Sequence, residues 1–372
     1  MLNRTKLIRE LQQLSHKLFV SYASEYTIAE KTWDRIANDV TFIHQIKQAT
    51  VPWPLPTWEG KLNATYDIES VPTYCARAVD GSQIYPDRHQ GTGCFLINIG
   101  TVAITYGSEH STVQFDSVPH VFSGEYYDGD LPNSPELVTC LRQEYELAAG
   151  IETFKQIPSF QLSPVLLYDG SLIFWHLAGN DNIYKQHFFP RYIALLEQLY
   201  AQQQLTAWYI SMPKSKELLG LIRCALCEGN TESSDAYRLV DHVIDASIAH
   251  YYLQPGQRSI GFQSTAPLCQ EYPLHLRPCF LYIHAGDEIG RIEVPAWIAD
   301  NEQALNKIIS IIFDQCAKGR GYPVVLAEAH EQAVVKGPDR DFFYQLIAKQ
   351  GIEQKQSLSM SQKSLKKRGL GI

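Results

Sequence analysis

Two aspartates in this sequence each follow a β-rich apolar segment and are themselves followed by Gly-Ser. The first lies in YCARAVDGSQI (74–84) and the second in SPVLLYDGSLIFW (163–175). An aspartate at the end of a buried strand is costly to ionise unless a metal ion or hydrogen bonds compensate its charge. Asp-Gly is also an ordinary turn dipeptide, so either turn taken alone is compatible with a purely structural role. The pair points to a site if the two strand ends lie side by side.

The segments between the two aspartates predict such an arrangement. Three β-rich stretches joined by short breaks, YCARAVD, CFLINIGTVAITYG and STVQFDSVPHVF, predict an antiparallel meander. A helix from about residue 136 to 156 follows, and then the buried strand of SPVLLYD. Meander, helix and a strand parallel to the first is the order of the ribonuclease H-like core. We therefore predict an α/β fold with a mixed sheet flanked by helices, in which Asp80 and Asp169 are neighbours.

The predicted helix between the strands offers a third carboxylate. At 100° per residue, Leu137, Leu141 and Ile151 belong to an apolar stripe with Glu144 at its centre, which places Glu146 on the opposite side. Glu144 is then either a metal-bridging ligand, or a long side chain that reaches the edge of the interface or pairs with an arginine.

A metal site built from Asp80, Glu144 and Asp169 would offer the oxygen ligands that suit Mg²⁺ or Mn²⁺. Two divalent ions in such a cluster activate water and stabilise the leaving oxygen of a phosphodiester, so hydrolysis of nucleic acid is its natural chemistry. The late segment RGYPVVLAEAHEQA (320–333) supplies Tyr322 and His330, which would complete the site or handle protons. A packed tyrosine and a structural histidine are the alternatives.

With these residues in place, the sequence resembles the NurA family of DNA double-strand-break repair nucleases and looks like a bacterial member. The shared blocks are AVDGSQIYPDRH, LINIG, LRQEYE, LLYDGSLIFW and GYPVVLAEAH, which occur in the family's order over about residues 75–335. The resemblance implies a ribonuclease H-like fold related to the Piwi nuclease core. It also implies Mn²⁺-dependent digestion of DNA, with 5′-to-3′ exonuclease and single-strand endonuclease activity, a homodimer, and a HerA-like hexameric ATPase that feeds DNA to the nuclease.

Carried over by position, the resemblance makes Asp80, Glu144, Asp169 and His330 metal ligands and Tyr322 a site residue near the phosphate. Because the distance from helix to strand varies among relatives, Glu146 or Glu152 remains an alternative to Glu144, and Mg²⁺ an alternative to Mn²⁺.

The ends of the chain are predicted to be separate from this nuclease domain, which we place at residues 61–350. Residues 1–60 predict a helical arm, with leucines at helical spacing, and a Pro/Trp linker in VPWPLPTWEG (51–60). We expect the arm to contact a second copy, the ATPase or its own domain. Residues 351–372 predict a basic flexible tail containing Lys363, Lys366, Lys367 and Arg368.

Composition narrows the function further. A net charge of −8 and a pI of about 5.8 argue against nonspecific coating of nucleic acid. The basic side chains that contact DNA must therefore be clustered locally or belong to a partner protein. No apolar run reaches membrane-spanning length, and MLNRTKLIREL lacks a signal-peptide core, so we expect a cytoplasmic protein without a membrane partner. The rival functions are a catalytically silent adaptor of the ATPase and an actin-like or sugar-kinase-like phosphotransferase.

Overall fold

The computed structural model describes residues 2–90, 92–107, 111–155, 164–179, 183–232 and 234–354. The predicted basic tail, with Lys363, Lys366, Lys367 and Arg368, lies outside these residues. The helices are α1 (Arg4–Leu18), α2 (Ala23–Ala37), α3 (Phe42–Gln48), α4 (Pro135–Lys155), α5 (Ile183–Ala201), α6 (Glu217–Leu226), α7 (Asp245–Tyr252), α8 (Ala296–Ala299), α9 (Glu302–Lys318), α10 (Val324–Ala333) and α11 (Gly337–Glu353).

The strands are β1 (Thr57–Trp58), β2 (Thr65–Asp67), β3 (Tyr74–Ile84), β4 (Phe95–Tyr106), β5 (Thr112–Phe122), β6 (Tyr127–Asp128), β7 (Leu131–Pro132), β8 (Val165–Asp169), β9 (Thr206–Ile210), β10 (Gln257–Ser259), β11 (Phe262–Gln263), β12 (Pro278–His284) and β13 (Ile289–Pro295). All except the β6–β7 pair join one sheet, whose main path runs β1-β11-β12-β13-β9-β8-β3-β4-β5. Strand β10 pairs with β12 and β2 beside that path.

The half of the sheet from β5 to β9 has the predicted ribonuclease H-like order. Strands β3, β4 and β5 form the antiparallel meander, while β8 and then β9 add in parallel on the other side of β3. Helix α4 precedes β8 in the chain, which agrees with the helix predicted between the two aspartates. The predicted fold class, a mixed sheet flanked by helices, is therefore confirmed.

Helices cover both faces of this half of the sheet because its strands are apolar on both sides. One hydrophobic cluster joins α4 and α5 to the residues of β3, β4 and β8 that include Val79, Ile97 and Tyr168. A second cluster on the opposite face joins α9 and α10 to Ala78 and Leu167. Neighbouring residues of one strand thus enter different clusters, as the alternation of side chains along a strand dictates.

The N-terminal helices differ in how they pack. Helix α2 buries Trp33 and Ile36 in a third hydrophobic cluster with α6 and α7. Helix α1 instead leaves its large apolar side chains exposed, including those of Leu7, Leu11 and Leu18. In the described part of the chain, no helix is long and apolar enough to cross a membrane.

Candidate active site

The parallel pairing of β3 with β8 places Asp80 and Asp169 at neighbouring positions. The paired register ends at Val79 opposite Tyr168, so the next residue of each strand is one of the two aspartates. Their predicted adjacency is confirmed, but Asp80 is not at a strand end, because β3 continues to Ile84 in pairing with β4. The end of β8 therefore opens a crevice beside β3, at the kind of position where ligands bind in parallel sheets.

Helix α10 brings His330 to Asp80. The His330 Nδ1 atom lies 2.8 Å from Asp80 Oδ2, while Asp80 Oδ1 accepts a 2.8 Å hydrogen bond from the Gly81 backbone N–H. The close approach of α10 depends on Gly100 in β4, where an added Cβ would lie 2.4 Å from the Ala333 nitrogen. The glycine of the LINIG block thus has a packing reason, because it lets α10 contact the sheet.

Tyr322, between α9 and α10, contacts the other aspartate. Its hydroxyl donates to the Asp169 carboxylate, and burial keeps this hydroxyl protonated by raising the tyrosine pKa. The structure thus brings four predicted site residues together: Asp80, Asp169, Tyr322 and His330.

Glu144 does not join them. Arg191 of α5 binds both of its carboxylate oxygens, at 2.9 and 2.5 Å, and also donates a 2.7 Å bond to Asp128. The arginine pairing that was the structural alternative for Glu144 is what the structure contains. The side-chain directions predicted from the apolar stripe were wrong, because the centre of that stripe faces α5 and not the crevice.

Glu146 takes the position beside the aspartates. It is 7% exposed, and a Cβ added to Gly81 would lie 2.6 Å from its Oε1 atom. Arg142, one helical turn earlier, donates from Nη1 to Glu146 Oε1 at 2.7 Å and to the Gly81 carbonyl at 3.0 Å. Glu152, the other alternative, is exposed near the end of α4.

Each residue of the two Asp-Gly-Ser sequences has a distinct local role. Gly81 leaves space for Glu146, and Gly170 adopts φ +97°, a left-handed conformation that favours glycine. Ser82 donates a 2.6 Å bond to the Ala333 carbonyl of α10. Ser171 donates a 2.8 Å bond to the buried Glu293 of β13. In both sequences the serine anchors the aspartate-bearing segment to a neighbouring element.

Two acidic side chains of the crevice have pKa values above their ordinary range. Burial raises the pKa of Glu146 to about 8, with the Arg142 charge acting to lower it and the charges of Asp80 and Asp169 adding to the rise. Asp169 is accessible from the crevice, yet partial desolvation raises its pKa, with the Tyr322 hydrogen bond opposing the rise and Asp80 adding to it. The pKa values of Glu146 and Asp169 are both raised beside the Asp80 carboxylate, so this is a site that a cation would stabilise.

The far wall of the crevice comes from residues that the sequence patterns did not single out. A cavity of about 310 Å³ is lined by Asp80, Asp169, Glu146, Arg142, Trp175 and His176 among others. The sequence did contain a pattern that indicates this side of α4, namely the spacing of Arg142, Glu146 and Gly150 at i, i+4 and i+8. It marks one side of α4 that carries an ion pair and a small residue, as expected where a helix lies close to a sheet.

The donor set fits a hard divalent cation by chemistry, since its carboxylate oxygens are the ligands that Mg²⁺ and Mn²⁺ prefer. Within the described ranges, however, no group of three or more His, Cys, Asp or Glu side chains is arranged so that it could hold a metal ion. Asp80 is instead engaged by His330, and Glu146 by Arg142.

Comparison with known proteins finds the following similarities. The family model for the NurA domain matches residues 77–335. A crystal structure of NurA aligns at 12% identity with a TM-score of 0.39, covering 87% of this chain and 96% of that one. NurA bound to dAMP and manganese aligns at 12% identity with a TM-score of 0.38, covering 90% and 94%. Drosophila Piwi aligns at 11% identity with a TM-score of 0.30, covering 72% of this chain and 30% of that one. No curated protein sequence matches.

Proposed function

The chain belongs to the NurA family, and from this membership and the crevice at the end of β8 we propose that it is a metal-dependent deoxyribonuclease that hydrolyses phosphodiester bonds. The observation that carries the proposal is the grouping of Asp80, Asp169 and Glu146 at one crevice, where three carboxylates are accompanied by one arginine, Arg142, and one histidine, His330. Retaining such a grouping is costly for folding, and a bound cation is the simplest compensation.

Mn²⁺ is the proposed cofactor, with Mg²⁺ as the alternative, and NurA itself has been crystallised with manganese. Asp80, Asp169 and Glu146 would hold the metal, with His330 at the edge of the set. The chemistry that such a cation supplies is activation of water and stabilisation of the charge that develops on the phosphate. Glu146 therefore replaces Glu144 as our proposed ligand from α4.

The remaining side chains have roles that follow from their contacts. Tyr322 holds Asp169 by a hydrogen bond, so the carboxylate keeps its direction. His330 is held through Nδ1 by Asp80 while its side chain is 62% exposed, which allows it to exchange protons with solvent next to the phosphate. Arg142 pairs with the Glu146 carboxylate from the cavity wall.

Finer aspects of the proposal rest on the family resemblance. We expect 5′-to-3′ exonuclease and single-strand endonuclease activity in DNA end resection and double-strand-break repair, a homodimer, and a HerA-like hexameric ATPase as partner. The exposed apolar side chains of α1, including Leu7, Leu11 and Leu18, support a partner contact there. Because the protein is acidic overall, a partner that contributes DNA-binding side chains would also strengthen its binding to DNA.

The test is cleavage of end-labelled linear duplex and single-stranded DNA by the purified protein with Mn²⁺, Mg²⁺ or EDTA. We expect cleavage that requires metal and that is lost in Asp169→Asn, which keeps the shape of the side chain. Asp116→Asn is the matched control, since Asp116 is an exposed aspartate on edge strand β5 that also accepts a hydrogen bond from the next backbone N–H.

Two outcomes would count against the proposal. Cleavage that persists in EDTA or in Asp169→Asn would place the chemistry elsewhere. A folded protein that cuts neither substrate with either metal, alone or with an added HerA-like ATPase, would favour the catalytically silent adaptor.

A further inference from the structure

One wall of the acidic cavity is an exposed tryptophan. Trp175 is 51% exposed and lines the same cavity as Asp80, Asp169 and Glu146. Its chain neighbours Phe174 and Leu177 are fully buried. Because an exposed indole loses the stabilisation that burial would give it, an isolated one beside a polar cavity calls for a ligand that contacts its ring.

The backbone around Trp175 is fixed on both sides. The preceding turn is held by a 2.8 Å bond from the Leu172 N–H to Glu293 and a 3.2 Å bond from the Phe174 N–H to the Tyr272 hydroxyl. Trp175 itself begins a short 3-10 helix, Trp175–Leu177. The indole is therefore carried on a braced segment only six residues after Asp169, which gives it a defined position next to the carboxylates.

We propose that Trp175 is a stacking platform for an unpaired nucleobase next to the scissile phosphate. The inference rests on the proposed nuclease function and adds a base-binding subsite to it. Aromatic side chains bind single strands by stacking on bases, with little dependence on sequence. The cavity, at about 310 Å³, is at the small end of the range for sites that hold one small molecule, a size that suits a single nucleotide.

The platform has a consequence for the substrate. A base inside a duplex already has both faces covered by its neighbours, so only an unpaired, frayed or extruded base can stack on Trp175. The subsite therefore selects for a single-stranded segment at the point of cleavage, including when the substrate is a duplex end.

The alternative is that Trp175 is only an apolar part of the wall. Two substitutions separate these roles: Trp175→Phe keeps an aromatic ring, while Trp175→Leu keeps apolar surface without one. Phe342→Ala is the matched control, because Phe342 is a similarly exposed aromatic, 60% exposed, on α11 and outside the cavity lining.

The first experiment compares kcat/KM on single-stranded DNA that is ordinary or carries one abasic nucleotide at the cleaved position. On ordinary DNA we expect Trp175→Leu to lose about 10- to 100-fold, Trp175→Phe less than about 5-fold, and Phe342→Ala nothing. On abasic DNA the wild type should lose as much as Trp175→Leu did, and Trp175→Leu should lose no more. Equal losses from Trp175→Leu on both substrates, or none on either, would overturn the proposal.

A second experiment does not depend on cleavage. In an Asp169→Asn background, a terminal 2-aminopurine in a bound oligonucleotide should be quenched with Trp175 present and remain bright in Trp175→Leu, with melting temperatures confirming that both fold. Quenching that depends on Trp175, found together with a wild type that cuts no DNA with either metal, would retain the base platform and reject the nuclease. Quenching that is unchanged in Trp175→Leu would reject the platform while leaving the nuclease intact.

Discussion

Helix α4 borders two clusters of acidic side chains that differ in how their charges are balanced. In the first, Arg191 binds both oxygens of Glu144 and one oxygen of Asp128, and His187 lies 3.0 Å from the other. Although burial acts to raise the pKa of Asp128, the bonds from Arg191 and His187 hold it below its ordinary value, whereas burial outweighs Arg191 at Glu144 and raises the pKa of that carboxyl. Every carboxylate oxygen in this cluster has a partner.

The second cluster, in the cavity, has the same complement of one arginine and one histidine, with Arg142 on Glu146 and His330 on Asp80, but it contains one carboxylate more. Arg142 engages one oxygen of Glu146, and the charges of Asp80 and Asp169 help to raise the glutamate pKa to about 8. A balanced cluster is sufficiently explained by the stability of the fold, whereas an unbalanced one destabilises the empty protein and indicates a binding function. The difference supports a structural role for the Glu144 cluster and agrees with the metal site that we propose in the cavity.

The largest effect expected from this comparison is on catalysis. Glu146→Gln removes a proposed metal ligand while keeping its volume, and we expect DNA cleavage to fall about 100- to 1,000-fold. Glu144→Gln, two residues away, should leave cleavage within about 3-fold, because the Glu144 carboxylate is bound by Arg191 of α5 and is not part of the cavity lining. Metal-dependent cleavage rates of the two folded variants check this, and the reverse ranking would restore Glu144 as the ligand.

The next effect concerns stability. Arg191→Met leaves Glu144 and Asp128 half-buried without their shared cation, and we expect the free energy of unfolding to fall by about 2–3 kcal/mol. The matched control is Arg340→Met, which breaks the exposed pair with Asp87 and should cost less than about 1 kcal/mol. Urea denaturation measures both. Equal losses would mean that the Arg191 cluster is no more structural than a surface ion pair.

The fold was predictable because the sequence patterns that define it are local. Continuous apolar β-rich runs, a helix between them and a second short buried run predict β3 to β5, α4 and β8. The extension of β3 beyond Asp80 to Ile84 was not predictable, because Gly81, Ser82 and Gln83 have the composition of a turn. Their strand conformation comes from pairing with β4, which is a tertiary effect.

The site was only partly predictable for a similar reason. A stripe argument assumes that a helix has one buried side, but α4 lies between α5 and the sheet. On the sheet side, a Cβ added to Gly150 would lie 2.0 Å from the Tyr168 hydroxyl oxygen, so that side too is enclosed. Nor did any pattern in LIFWHL distinguish the exposed Trp175 from the buried Phe174, since exposure depends on what packs against each ring.

The pH dependence of stability provides a third test of the unbalanced cluster. Between the ordinary glutamate pKa of about 4.5 and the folded value of about 8, the folded protein holds a proton on Glu146 that the unfolded chain has lost. The folded state binds more protons in this window, so stability falls as pH rises. With EDTA present, we expect the wild type to lose about 2 kcal/mol more than Glu146→Gln between pH 5 and pH 8.

Denaturation curves at several pH values measure this difference, and Mn²⁺ adds a second readout. Because a cation stabilises the ionised carboxylate, added Mn²⁺ should reduce the loss at pH 8 in the wild type and have less effect in Glu146→Gln. Parallel pH profiles for the two proteins would show that Glu146 ionises normally and that the cavity is not electrostatically strained.

The smallest expected effect concerns the hydrogen bond from Ser171 to Glu293, which holds the turn after Asp169. Ser171 connects the Asp169 turn to Glu293, which is paired in the protein interior with Arg291 at 2.7 Å. Arg291 also pairs with Glu217 at 2.6 Å, so the turn is anchored to a buried ionic network. Ser171→Ala removes the hydroxyl hydrogen bond to Glu293, while the bond from the Leu172 N–H remains. We therefore expect the free energy of unfolding to fall by about 1 kcal/mol. Because the turn positions Asp169, cleavage should fall by about 2- to 5-fold, against no change in the exposed control Ser15→Ala. A loss of stability without any loss of cleavage would show that the buried network supports the fold but does not position the aspartate.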